Sequence, residues 1–154
     1  MKKPNSYQSL RLVAQELNTA LSKSVELFIY SYDQCRTIDM QDGLTAQQLI
    51  AFEALTARFA RLSDLLIQKA FRMIDQLELE ETGSILDRLN RAEKRRLIDD
   101  ADQMRSIRFL RNRIAHEYVS DALHHIFTQV LHLAPVLKET ADRTTAYLAK
   151  HTLT

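Results

Sequence analysis

Residues 45–77 read TAQQLIAFEALTARFARLSDLLIQKAFRMIDQL and contain neither glycine nor proline. Leu49, Phe52, Phe59, Leu62, Leu66, Ala70, Met73 and Leu77 recur there at mostly three- and four-residue spacings, the period of one apolar stripe on an α-helix. Thr45 with Gln48 three positions on predicts a capping box at its start. Such a helix is roughly 45 Å long at 1.5 Å per residue. Upstream, Leu10, Val13, Ala14, Leu17, Leu21, Val25, Phe28 and Tyr32 mark a helix over residues 6–32, and the period is lost over 33–44, where Gly43 lies. The two long helices therefore predict an antiparallel hairpin.

Downstream, Thr82, Gly83 and Ser84 form the clearest break, with Gly83 suited to a left-handed backbone and Ser84 to a helix cap. A shorter basic helical piece follows. Asp100 with Gln103 predicts a second cap, opening a helix that turns Met104, Ile107, Leu110, Ile114 and Tyr118 inward. Ser120 or Asp121 caps the last helix, whose stripe is Ile126, Val130, Leu133, Leu137, Ala141 and Leu148, and Pro135 is expected to kink or split it. The expected fold is all-α: an up-and-down four-helix bundle with an additional short helix, one domain spanning residues 1–154.

Composition excludes the alternatives. Two glycines and two prolines in 154 residues cannot supply the tight turns of a sandwich, barrel or doubly wound sheet. Gly43 and Gly83 stand alone, so no glycine-rich loop can cradle a phosphate through backbone amides. Cys35, the single cysteine, has no partner for a disulfide or a metal site and fits a small, partly buried hydrophobe in a reducing compartment. No apolar run approaches the ~20 residues of a membrane span. The expectation is a cytoplasmic chain with no membrane segment.

Net charge is +1, but its distribution is uneven. Asp75, Glu78, Glu80, Glu81 and Asp87 form a purely acidic run that reads as a solvated helix end. From Arg88 to Arg113 nine bases face four acids. That block can attract a phosphate backbone, or it can be a salt-bridged, solvated helix face.

Within it, Arg111-Asn112-Arg113-Ile114-Ala115-His116-Glu117-Tyr118 gathers unusual chemistry at the end of the fourth main helix. A seven-residue step places Arg111 and Tyr118 on one face, and Asn112 and His116 share the adjacent one. An arginine fork suited to phosphate, a histidine at the negative end of the helix dipole and a phenol suit phosphodiester chemistry. The same residues also fit a structural role, with Arg111 paired to a carboxylate, His116 ending the helix and Tyr118 filling the core.

The string Arg111-x4-His116-x-Tyr118 resembles the R-x4-H-x-Y signature of the HEPN superfamily, specifically the HepT-like toxins partnered with minimal nucleotidyltransferase antitoxins. Asn112 matches the small polar residue common after the motif arginine. The resemblance covers nearly the whole chain and implies a HEPN-like bundle acting as a metal-independent endoribonuclease without a cofactor. It implies a homodimer in which Arg111 and His116 of both chains face one cleft on RNA, with Asn112 in support. It further implies that the antitoxin transfers AMP to Tyr118 and so blocks the site. The alternative is a non-catalytic module that binds nucleotide or RNA, or serves as the partner subunit of the nucleotidyltransferase; a third is a purely structural helical dimer.

His124, His125 and His132 do not make a metal site, because His125 and His132 lie about 10 Å apart along a helix and no Glu-x-x-His motif occurs. Phe28, Phe52 and Phe59 follow the core stripes, and Tyr30 and Tyr32 fit core or rim.

Overall fold

The computed structural model describes residues 6–117 and 120–152, with the backbone alone at 120 and 121. The described chain is helical with no strand: α1 (Ser6–Cys35), α2 (Ala46–Asp64), a π-helical turn (Leu65–Ala70), α3 (Phe71–Leu77), α4 (Ile85–Lys94), α5 (Ala101–His116) and α6 (Ser120–Thr152). No helix among the described residues is long and apolar enough to cross a membrane.

The expected capping box at Thr45 is present: Gln48 N–H donates to Thr45 Oγ1 (3.1 Å) and Thr45 N–H to Gln48 Oε1 (3.0 Å). Ser84 caps α4 in the same way, with Asp87 supplying the return bond at 2.7 Å. The expected cap of α5 at Asp100 is present, its carboxylate accepting from Asp102 N–H (2.8 Å). Gly43 and Gly83 both take positive φ, 85° and 81°.

Two further helix ends need a left-handed residue and have no glycine for it. Leu79 (φ 58°) and Arg96 (φ 61°) fill those positions. Glu80 N–H bonds back to Asp75 O (2.8 Å) and Leu97 N–H to Ala92 O (3.0 Å), the six-to-one closure of a Schellman motif.

α2, the π turn and α3 form one unbroken rod over the stretch that opened the sequence reading. α1 packs on α2 and α6, and α5 packs on α2 and α6, giving the four-membered bundle; α4 bridges α3 and α5. Phe52 stacks on Phe127 at 4.9 Å between centroids, and Phe28 meets Phe59 at 6.2 Å. Cys35 is fully buried, which pushes its thiol pKa up. Pro135 does not split α6, which runs through it; the missing N–H removes only one helical bond, to the carbonyl of Leu131. Val130, Leu137, Ala141, Thr144 and Leu148 keep that helix seated on the core.

The acidic run is not a solvated helix end throughout. Asp75 is 1% exposed and accepts from Arg91 (Nε 3.0 Å, Nη2 2.8 Å) and from Arg95 Nη1 (2.5 Å); Arg95 Nε also holds Glu78 (2.7 Å). Two of the nine bases of the basic block, Arg91 and Arg95, are thereby spent inside the chain, bolting α4 to α3.

Candidate functional site

α5 is oriented by burial of Met104, Ile107 and Leu110. Arg108, Arg111 and Asn112, three and four residues apart, therefore share an outward stripe facing the end of α2 and the π turn. Between the two elements lies a groove of about 650 Å³, lined among others by Arg61, Ser63, Asp64, Lys69, Arg108, Arg111 and Asn112.

Arg111 is anchored in it. Its Nε donates to Asp64 Oδ1 (2.7 Å) and its Nη2 to Asp64 Oδ2 (2.8 Å), a side-on bidentate pair. The pair is 32% and 43% exposed respectively, so it is a surface clamp and not a core tie. Hydrogen bonding by Asp64 raises the Arg111 pKa further above the ordinary arginine range, against a smaller opposing effect of burial. One edge of the guanidinium is held, and Nη1 has no hydrogen-bond partner among the described residues.

Arg61, Lys69 and Arg108 have no ion pair or side-chain hydrogen bond among the described residues, and all three are exposed. Ser63 is buried, yet its Oγ has no hydrogen-bond partner among the described residues. With Asp64 and Arg111 neutralising each other, the lining keeps three positive charges.

The π turn shapes this wall. Phe71 N–H bonds to Leu66 O, five residues back. Return to α pairing leaves a carbonyl without a helical donor, and Ile67 O accepts instead from Arg88 Nη1 of α4 (3.1 Å).

The other expected residues fall as follows. Asn112 is exposed and stands between this groove and a second of about 720 Å³, lined by Leu86, Arg105, Phe109 and Arg113 among others; there Arg113 donates to Gln129 Oε1 (3.2 Å). His116 is the last residue of α5, exposed, and is not among the lining residues of either groove. Tyr118 lies outside the described residues. Ile114 is only partly buried. His124, His125 and His132 are exposed along α6, and no group of three or more metal-ligating side chains occurs among the described residues.

Asp64, Ser63, Arg61 and Lys69 did not emerge from the sequence as site residues. Arg61, Asp64, Leu65 and Gln68 follow three- and four-residue steps along one helix face, a signal masked by the apolar stripe beside it. No family model matches the chain, and neither a curated protein nor a solved structure does.

Proposed function

We propose that the chain is a HEPN-type, metal-independent endoribonuclease that acts as a homodimer, with Arg111 and His116 of both protomers at one cleft. The observation that supports it most is the Arg111–Asp64 clamp at the rim of a groove with three further unpaired cations. A guanidinium held along one edge and open along the other is preorganised for a phosphate.

Cleavage through the 2′-hydroxyl needs a base for its proton, an acid for the leaving 5′-oxygen and a cation on the phosphorane. One His116 takes the proton as the 2′-oxygen bonds to phosphorus. The P–O5′ bond breaks, and the second His116 protonates the 5′-oxygen, leaving a 2′,3′-cyclic phosphate and a 5′-hydroxyl. The two-fold axis supplies the second histidine. Asn112 supports the site from beside Arg111. Transfer of AMP to Tyr118 by a minimal nucleotidyltransferase would put phosphodiester anions in competition with RNA for Arg111.

Purified chain incubated with RNA in EDTA is expected to yield those two end groups, with His116→Ala and Arg111→Ala each losing at least 100-fold in rate, within the span general acid–base catalysis supplies. Undiminished cleavage by His116→Ala overturns the proposal. Co-expression with the nucleotidyltransferase should add whole AMP masses to the wild type and none to Tyr118→Phe. The Asp64 pair, with His116 ending α5, also fits the purely structural reading; failure to bind RNA or the nucleotidyltransferase would select that reading, and RNA left intact in a stable complex would select the binding module.

A further inference from the structure

Several cations among the described residues are paired with carboxylates: Arg91 and Arg95 on Asp75, Arg111 on Asp64, Arg143 on Asp99 and Glu139. Arg61, Lys69 and Arg108 are not, although they share one groove. Like charges left facing each other across a groove repel, and a bound anion relieves them. Arg61 and Lys69 are eight residues apart, roughly 12 Å along the rod, too far for one phosphate to touch both head groups at their bases. Between them, the buried Ser63 hydroxyl has no partner among the described residues. Groups of this kind are normally satisfied by a ligand or water.

We propose that this groove is a track for single-stranded RNA, with Arg61, Lys69 and Arg108 on successive phosphates and Ser63 Oγ bonded to a sugar or phosphate oxygen. It leads the strand to Arg111, and so rests on the ribonuclease reading while extending it to residues outside the motif. An RNA strand fits better than a protein segment. None of the groove residues is an exposed large apolar side chain, whereas the neighbouring groove presents Leu86 and Phe109, the latter 67% exposed. Protein partners are anchored by apolar contacts, nucleic-acid backbones by cations and hydroxyls.

Binding is measured apart from cleavage. Full-length His116→Ala protein is titrated with a fluorescently labelled single-stranded RNA across a salt series, reading anisotropy. Each phosphate contact on a single strand contributes about 0.7 to the slope of log K against log salt. Arg61→Ala, Lys69→Ala and Arg108→Ala should each weaken binding several-fold and lower that slope by about 0.7, with Lys69→Arg restoring it. Ser63→Ala should weaken binding with the slope unchanged, because a hydroxyl releases no counterion. Unchanged affinity and slope in the three cation variants overturn the track. So does displacement of labelled RNA by inorganic phosphate or AMP as effective as by unlabelled RNA, which would make the groove a single-phosphate pocket. Loss of nucleotidyltransferase binding with RNA binding intact also overturns it. Wild-type protein that binds with the expected slope but never cleaves leaves the track standing and removes the ribonuclease reading.

Discussion

Leu79 carries a positive φ that a side chain makes unfavourable, and its side chain gains nothing in return, being 90% exposed. The left-handed conformation costs roughly 1–2 kcal/mol with a Cβ present, and glycine removes that term while adding flexibility to the unfolded chain. Leu79→Gly should therefore stabilise the protein by about 1 kcal/mol, seen as a higher urea midpoint at unchanged m-value. Gly83 is the reverse case. At φ 81° an added Cβ would also lie 2.2 Å from Asp87 Oδ2, the atom that accepts from Ser84 N–H. Gly83→Ala should destabilise by about 2 kcal/mol through backbone strain and a displaced cap; a midpoint within error of wild type would contradict both causes.

Between elements, the strongest polar tie is Asp75. Removing one member of a buried, multiply bonded ion pair leaves its partners charged without compensation and typically costs about 3–5 kcal/mol. Asp75→Ala should fall in that range by chemical denaturation, while Glu81→Ala, which loses only the exposed pair with Arg72, should stay within about 1 kcal/mol. Charge counting missed this tie because it ignored phase: Asp75 lies four residues after buried Phe71, on an inward face. The stripes, the Thr45 and Ser84 caps and the break at Gly83 were legible because each is local. The π turn was less so, since it shifts one hydrogen bond and leaves the stripe nearly intact. Its trace is the four-residue repeat of buried neighbours Leu62–Ser63, Leu66–Ile67 and Ala70–Phe71, a period longer than the 3.6 of an α-helix. Arg111 stood out in the sequence through its motif, but its partner Asp64 is 47 residues away, and no local pattern ties a carboxylate to an arginine across two helices.

At the scale of the whole molecule, the far end of the bundle is closed by one cluster. Tyr147 O–H donates to Glu78 Oε1, His151 Nε2 lies 3.2 Å from the same oxygen, and Arg95 Nε holds the other at 2.7 Å. Arg11 Nε of α1 donates to His151 O at 3.1 Å, so α1, α3, α6 and the end of α4 meet there. Burial, then the bond to Glu78, pushes the Tyr147 pKa from its ordinary 10.0 to about 12. A pKa raised on folding means the protonated phenol is stabilised in the native state. That stability is complete below about 10 and is lost as pH rises through about 12. Glu78 runs the other way: burial acts to raise its pKa, but hydrogen bonds from Tyr147, Arg95 and His151 outweigh it and bring it below the ordinary 4.5. Its contribution is present above 4.5 and is lost as pH falls through the lowered value. Tyr147→Phe removes one bond from each side of this balance. The variant should be less stable at pH 7 by about 1 kcal/mol, the usual net worth of a hydrogen bond or slightly more for a charged acceptor. Its deficit against wild type should shrink as pH rises from 10 to 12, where wild type loses the same bond. On the acid side the deficit should shrink again as Glu78 protonates in both proteins. Thermal unfolding of the two proteins from pH 2 to 12 reads this as a difference curve with a plateau at neutral pH and a fall at each end; a difference independent of pH would show that Tyr147 acts by packing alone.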